Sequence, residues 1–112
     1  MGLIKGPFGA TDVIALTATG AQTISITNEQ TIIDGVTVQA TGNRTLNLTV
    51  SSEIKAGAML YIKVKATATE TTIMGTGMTG PTITGVAGKT HTVAYWYDGT
   101  TFKPSGTAVQ ID

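Results

Sequence analysis

Residues 59–68 read MLYIKVKATA, and their side chains alternate between apolar and polar for most of the stretch. Every second residue from Leu60 onward is apolar, whereas Tyr61, Lys63 and Lys65 occupy the positions between them. Successive side chains of a β-strand point to opposite faces of the sheet. The alternation therefore predicts a strand with one buried face and one exposed face.

The same two-residue period recurs along the chain. It is present in TISIT (23–27), VTVQA (36–40), TLNLTV (45–50) and HTVAYWY (91–97). Turn-forming residues separate these segments at 28–30, 34–35, 41–43, 55–57 and 85–88. No segment has the 3.6-residue period of a helix. The pattern predicts an all-β domain of antiparallel strands, arranged as a β-sandwich, a jelly-roll-like fold or a small barrel.

Composition narrows the classes of function. Charged residues make up 12% of the 112 residues, the formal net charge is zero and there is no cysteine. A surface without excess positive charge argues against nucleic-acid binding, and the lack of cysteine excludes disulfides and thiolate metal sites. The sequence has no run of about twenty apolar residues, which a membrane-spanning helix would need, and no signal peptide is recognisable. We therefore expect synthesis and assembly in a cytoplasm.

The first twelve residues differ from the rest of the chain. Their glycines and proline disfavour regular structure, while Leu3, Ile4 and Phe8 are apolar. We therefore predict an irregular N-terminal arm over 1–12 and a single domain over 13–112. The arm is expected to lie either on its own domain or on a neighbouring subunit.

Candidate chemistry is sparse. Gly75, Gly77 and Gly80 have the spacing of a dinucleotide-binding loop, but no helix signal follows, so loop or bulge glycines are the better interpretation. His91 is the only histidine, and the carboxylates are scattered singly. We predict no catalytic, cofactor or metal site, and that the chain is not an enzyme.

The aromatic residues cluster near the end of the chain. Tyr95, Trp96 and Tyr97 precede Asp98-Gly99, and Phe102 follows it. A two-residue type I′ turn at Asp98-Gly99 predicts a hairpin in which Tyr95 pairs with Phe102. Trp96 then lies on the opposite face, where it contacts the core or another subunit, or forms an exposed platform for a ligand.

The stretch GVAGKTHTVAYWYDGTTFKPSG (85–106) resembles the closing segment of small β-domains in bacteriophage virion proteins, of the head-decoration, head-fibre and tail-fibre kinds. Tyr97, Asp98, Gly99 and Phe102 carry this resemblance, although those proteins often have Trp where this chain has Phe102. The resemblance implies a structural protein of the virion that is assembled in the host cytoplasm.

Two hypotheses follow. The first is a capsid decoration protein or head-fibre base that forms a homo-oligomer, for which the resemblance implies a trimer, and binds the major capsid protein or another virion protein. Its interaction residues are the arm residues Leu3, Ile4 and Phe8 and the aromatics Tyr95, Trp96, Tyr97 and Phe102. The alternative is a carbohydrate- or receptor-binding β-sandwich module that uses its aromatics as the platform. Neither hypothesis requires a cofactor, a nucleic acid or a membrane.

Overall fold

The computed structural model describes residues 11–112, in which ten β-strands form and no α-helix is present. The strands are β1 Thr11–Ala15, β2 Gly20–Ile26, β3 Gln30–Ala40, β4 Arg44–Val50, β5 Met59–Ala66, β6 Thr71–Met74, β7 Ile83–Thr84, β8 Thr90–Tyr97, β9 Phe102–Pro104 and β10 Val109–Gln110. The prediction of an all-β fold is confirmed.

The strands form two mixed sheets. The larger sheet has the order β1-β3-β5-β8-β10, with β9 also paired to β8, and the smaller sheet has the order β2-β4-β6-β7. The first six strands alternate between the sheets, so the chain crosses from one sheet to the other after each strand. Within residues 11–112 neither sheet closes into a barrel.

The predicted antiparallel arrangement is wrong for half of the strand pairs. The pairs β1·β3, β3·β5, β2·β4 and β4·β6 are parallel, whereas the pairs involving β7 to β10 are antiparallel. Parallel strands are usually covered on both faces and then lack an alternating pattern. Here one face of these strands is buried and the other is more exposed, as in β5, which produces the alternation that is typical of antiparallel strands.

One apolar core lies along the inward faces of both sheets. It includes Ile24 and Leu48 of the smaller sheet and Leu60, Ile62 and Tyr95 of the larger sheet. The inward positions predicted for Leu60, Ile62, Val64 and Ala66 are confirmed, since all four are buried. Alternation therefore identified the buried face of β5 even though it gave no information on strand direction.

Asp34 and Gly35 do not end a strand, contrary to the predicted turn. They lie within β3, where the register with β5 shifts between Gly35 and Ala40. One carboxylate oxygen of Asp34 accepts hydrogen bonds from the backbone N–H groups of Val36, at 2.9 Å, and Thr37, at 3.1 Å. This local turn forms an irregularity inside the strand rather than a connection between strands.

The glycine-rich connection after β6 has the structural role that the sequence favoured. Gly77 has a φ of +83°, and a Cβ atom there would lie 2.8 Å from the carbonyl oxygen of Leu48. A side chain is thus disfavoured both by backbone conformation and by the close approach of β4. No helix follows these glycines in the described residues.

Arg44, at the start of β4, is 2% exposed despite its charge. Its guanidinium donates hydrogen bonds to backbone carbonyl oxygens of Thr17, Val38, Gly35 and Lys65 at 3.0–3.4 Å. Burial lowers the pKa of Arg44, and the charge of Glu70 opposes that shift. The side chain connects the segment after β1 with β3 and β5, a role that its position beside a predicted turn did not indicate.

Candidate interaction face

A row of apolar side chains crosses four strands on the outward side of the larger sheet. The register places Val13 of β1 beside Ile32 of β3. Tyr61 of β5 lies between Ile32 and Ala94 of β8. Since Leu60 and Ile62 point into the core, Tyr61 points outward, and it is 47% exposed.

Trp96 extends this row towards the end of β8. It pairs with Met59 on one side and with Lys103 of β9 on the other, and it is 41% exposed. Because Tyr61 pairs with Ala94, Trp96 is its diagonal neighbour on the same face, within reach of aromatic side chains. We refer to Val13, Ile32, Tyr61, Ala94 and Trp96 as the outer face.

Charged side chains lie at the margins of the outer face. Lys63 lies beside Asp34 on β3 at one end, and Lys103 forms an ion pair with Asp98, with 3.3 Å between Nζ and Oδ2, at the other. Hydrogen bonds from the Thr37 hydroxyl and from the N–H groups of Val36 and Thr37 lower the pKa of Asp34 to about 2, with a smaller contribution from the charge of Lys63. The margin is thus charged with both signs, whereas the centre is apolar.

The apolar row borders an open depression of about 560 Å³. Its lining includes Ile32, Tyr61 and Ala94 from the sheet, and Gly106 and Val109 from the C-terminal segment. The outer face therefore combines a flat apolar strip with a concave side.

The four aromatic residues predicted as interaction residues separate into two groups. Trp96 is exposed, whereas Tyr95, Tyr97 and Phe102 are buried core residues. The predicted Tyr95–Phe102 pair is wrong, because Phe102 pairs with Tyr97 and Tyr95 pairs with Pro104. The rings of Tyr97 and Phe102 lie 4.9 Å apart between centroids and are tilted by 32°.

The different register follows from the turn. The connection contains four residues, 98–101, and the backbone N–H of Asp98 donates to the carbonyl oxygen of Thr101 at 3.1 Å. A type I′ turn requires positive φ at both central residues, yet positive φ occurs only at glycines in the described chain, among them Gly99. The Asp98 carboxylate instead accepts from the N–H groups of Thr100 and Thr101, each at 2.8 Å. The register moves by two residues, which keeps Phe102 on the predicted face.

The arm residues Leu3, Ile4 and Phe8 lie outside the described residues, so their predicted contacts stay a prediction. Strand β1 begins at Thr11 and pairs with β3 from there, two residues inside the predicted arm.

Three members of the outer face, Val13, Ile32 and Tyr61, were not identified from the sequence as an interaction surface. Ile32 and Ile33 are consecutive, and in a strand one of two consecutive side chains must point outward. That doublet was the available signal. The alignment of Val13, Ile32 and Tyr61 in one row depends on the parallel register, which the alternation does not encode.

Metal sites and membrane-spanning helices are both absent from the described residues. Residues 11–112 contain no group of three or more His, Asp or Glu side chains placed to hold a metal ion. Across the same range, no helix has the length and apolarity needed to cross a membrane.

No protein-family model matches the chain, and comparison with curated proteins and with solved structures gives no match either.

Proposed function

We propose that this chain is a structural protein of a bacteriophage particle, a capsid decoration protein or head-fibre base, that binds neighbouring subunits through the outer face. The observation that carries the proposal is the aligned apolar row, in which Tyr61 and Trp96 are exposed at diagonal positions on the same face. Soluble monomers rarely expose a continuous apolar patch of this kind, and such patches mark interaction surfaces.

The composition of the outer face fits a protein–protein interface. Tyrosine and tryptophan are enriched at the centres of interfaces, where they bury large areas, and charges are displaced to the rim. Here Lys63 with Asp34, and Lys103 with Asp98, lie at the margins of the apolar strip. A subunit that covers the strip can leave these charges hydrated.

The assignment to a phage particle is supported by the resemblance of the closing hairpin, which Tyr97, Asp98, Gly99 and Phe102 carry. We further propose that the two sheets form a two-layer β-sandwich, with the outer face of the larger sheet turned towards the partner. A chain with zero net charge has little electrostatic repulsion between copies, which favours a closed homo-oligomer. The choice of a trimer that binds the capsid shell rests on the resemblance to phage decoration and fibre proteins.

Addition of the purified protein to phage particles assembled without it tests the function. Negative-stain microscopy and co-sedimentation should detect regular binding to the particle, and a Trp96→Glu variant should bind much less. A matched control is Ile73→Glu on the smaller sheet, since Ile73 is an exposed apolar residue of 38% exposure outside the outer face. If the wild-type protein does not bind the particles, the proposed function is wrong.

A second candidate, a carbohydrate- or receptor-binding module, is favoured by one observation. Exposed aromatic residues on one face of a sheet, such as the diagonal neighbours Tyr61 and Trp96, can stack against the apolar face of sugar rings. Trp96 is the only tryptophan, so its fluorescence reports directly on this surface. Saturable quenching by a glycan, lost in Tyr61→Ala, would favour this function over assembly.

A further inference from the structure

A second concave site lies on the inward side of β8, where the smaller sheet ends at β7. It has a volume of about 320 Å³. Three segments line it: residues 81–84, the alternating residues His91, Val93 and Tyr95 of β8, and residues 104 and 106–108. Because Tyr95 and Trp96 are adjacent in a strand, this pocket and the outer face lie on opposite sides of the larger sheet.

The hydroxyl of Tyr95 is the most informative group in this pocket. Tyr95 is 1% exposed, and burial raises the pKa of its hydroxyl to about 12. The hydroxyl is not one of the buried side-chain polar atoms that lack a partner in residues 11–112, which are Thr31 Oγ1 and Arg44 Nε, and Tyr95 lines the open pocket. Buried tyrosine hydroxyls ordinarily have a hydrogen-bond partner, because an unsatisfied polar group in the interior is destabilising. A molecule in the pocket can therefore replace water as the hydrogen-bond partner of this hydroxyl.

The rest of the lining specifies the chemistry of that partner. Hydroxyl groups come from Thr82, Thr84 and Thr107, and an imidazole comes from His91. These groups both donate and accept hydrogen bonds. No Asp, Glu, Lys or Arg side chain lines the pocket, and Val93 contributes apolar surface. A molecule with several hydroxyl groups and no charge meets these conditions, whereas an ion would have no counter-charge.

We propose that this pocket binds a neutral polyhydroxylated molecule of about one or two sugar rings, which forms hydrogen bonds with Tyr95 and His91. The pocket volume is sufficient for such a molecule. About ten waters of roughly 30 Å³ each would fill the pocket, and a hexose, with about a dozen non-hydrogen atoms, occupies a similar space. The pocket opens on the other side of the larger sheet from the outer face, although Val93, Gly106 and Thr107 line both this pocket and the depression beside the outer face.

Nuclear magnetic resonance of His91 tests the site. His91 is the only histidine, so its imidazole protons give one assignable set of signals. Titration with glucose, mannose, N-acetylglucosamine and maltose should produce a saturable shift for at least one probe, with a Kd of about 1 mM. Glucose 6-phosphate, which adds a charge to the same ring, should bind more weakly than glucose.

Tyr95→Phe is the matched variant, because it removes the hydroxyl and keeps the ring in the core. It should weaken binding about tenfold, the effect of one lost hydrogen bond to the ligand. His91→Gln provides an independent variant, for which the backbone amide signals of Thr84 and Thr107 replace the imidazole as readout. Trp96→Phe, on the opposite side of the sheet, should bind like the wild type.

Three results would overturn the site. The first is the absence of a saturable shift at His91 for every probe, which would leave water as the partner of Tyr95. The second is equal affinity in the wild type and in Tyr95→Phe, with His91→Gln also unchanged. The third is loss of binding in Trp96→Phe, which would move the ligand to the outer face.

Discussion

Nη2 of Arg44 donates a hydrogen bond to the carbonyl oxygen of Gly35 across 3.2 Å. Nη1 of the same side chain donates to the carbonyl oxygen of Val38 at 3.0 Å. Both acceptors belong to the irregular part of β3, and a further acceptor, Lys65, belongs to β5. One buried guanidinium therefore fixes the backbone where the regular pairing of β3 with β5 is interrupted.

Replacement of this side chain should be strongly destabilising. In Arg44→Met the buried carbonyl oxygens lose their donors while most of the volume is kept, and we expect a loss of about 3 kcal/mol in the free energy of unfolding. Urea denaturation measures the effect. Lys63→Met, at an exposed position on β5, is the control and should change stability by less than about 0.5 kcal/mol. Equal effects of the two substitutions would show that the guanidinium network contributes little.

Asp34 gives a pH-dependent prediction. The pKa of its carboxyl is lowered in the folded protein to about 2 by hydrogen bonds from Thr37 and Val36. The ionised form is therefore the stabilising one: its contribution is present above about pH 4 and is lost as the pH falls towards 2. At pH 7, Asp34→Asn should be less stable than the wild type by about 1 kcal/mol, after allowance for solvent screening.

Urea midpoints of the wild type and Asp34→Asn, compared at pH 7 and near pH 2, provide the measurement. The difference between the two proteins should shrink at the lower pH. A difference that stays constant across this range would mean that the charge of Asp34 does not contribute through this turn.

The observed hairpin register predicts which pair of aromatic residues has an energetic coupling in the free energy of unfolding. A double-mutant cycle with Tyr97→Leu and Phe102→Leu should give a coupling energy of about 1 kcal/mol, because the two rings are in contact. The cycle with Tyr95→Leu and Phe102→Leu should give a smaller value, since Tyr95 pairs with Pro104. The reverse order would support the two-residue turn over the observed four-residue connection.

Gly77 and Gly20 form a matched pair of glycines. Both have positive φ, +83° and +89°, but a Cβ atom at Gly77 would lie 2.8 Å from the carbonyl oxygen of Leu48, whereas one at Gly20 meets nothing within 4 Å. Gly20→Ala should cost about 1 kcal/mol through backbone strain alone. Gly77→Ala should cost at least about 1 kcal/mol more, because the steric conflict is added. Equal melting temperatures for the two variants would contradict the close approach of β4.

Local patterns in the sequence predicted the buried side of β5, whereas the alternation in VTVQA placed Val38 on the buried face and Val38 is 40% exposed. Residues 60, 62, 64 and 66 are buried because the period of a strand depends only on the pleat. Strand direction and partner depend on where the chain crosses between the sheets, which is a non-local property. The alternation of β2 and β4 is therefore compatible with either direction, and the parallel pairing of these strands was missed.

The candidate sites have the same mixture of local and non-local determinants. Trp96 was singled out from composition, and its exposure agrees with its position out of phase with Tyr95 and Tyr97. The outer face required the register between β1, β3, β5 and β8 before its members could be recognised as neighbours. Arg44 was missed because a charged residue beside Gly42-Asn43 is ordinarily a solvated turn residue. Its partners are backbone carbonyl groups, which leave no signature in the sequence.

The mass of the protein in solution, measured by multi-angle light scattering, tests most directly whether the outer face is an assembly surface. At micromolar concentration the wild type should have a multiple of the 11.5 kDa chain mass, with three chains expected. The double variant Tyr61→Glu/Trp96→Glu should have the mass of one chain, while Ile73→Glu on the smaller sheet should keep the wild-type mass. A wild-type protein with the mass of a single chain, or a double variant that assembles as the wild type does, would contradict the proposed role of the outer face.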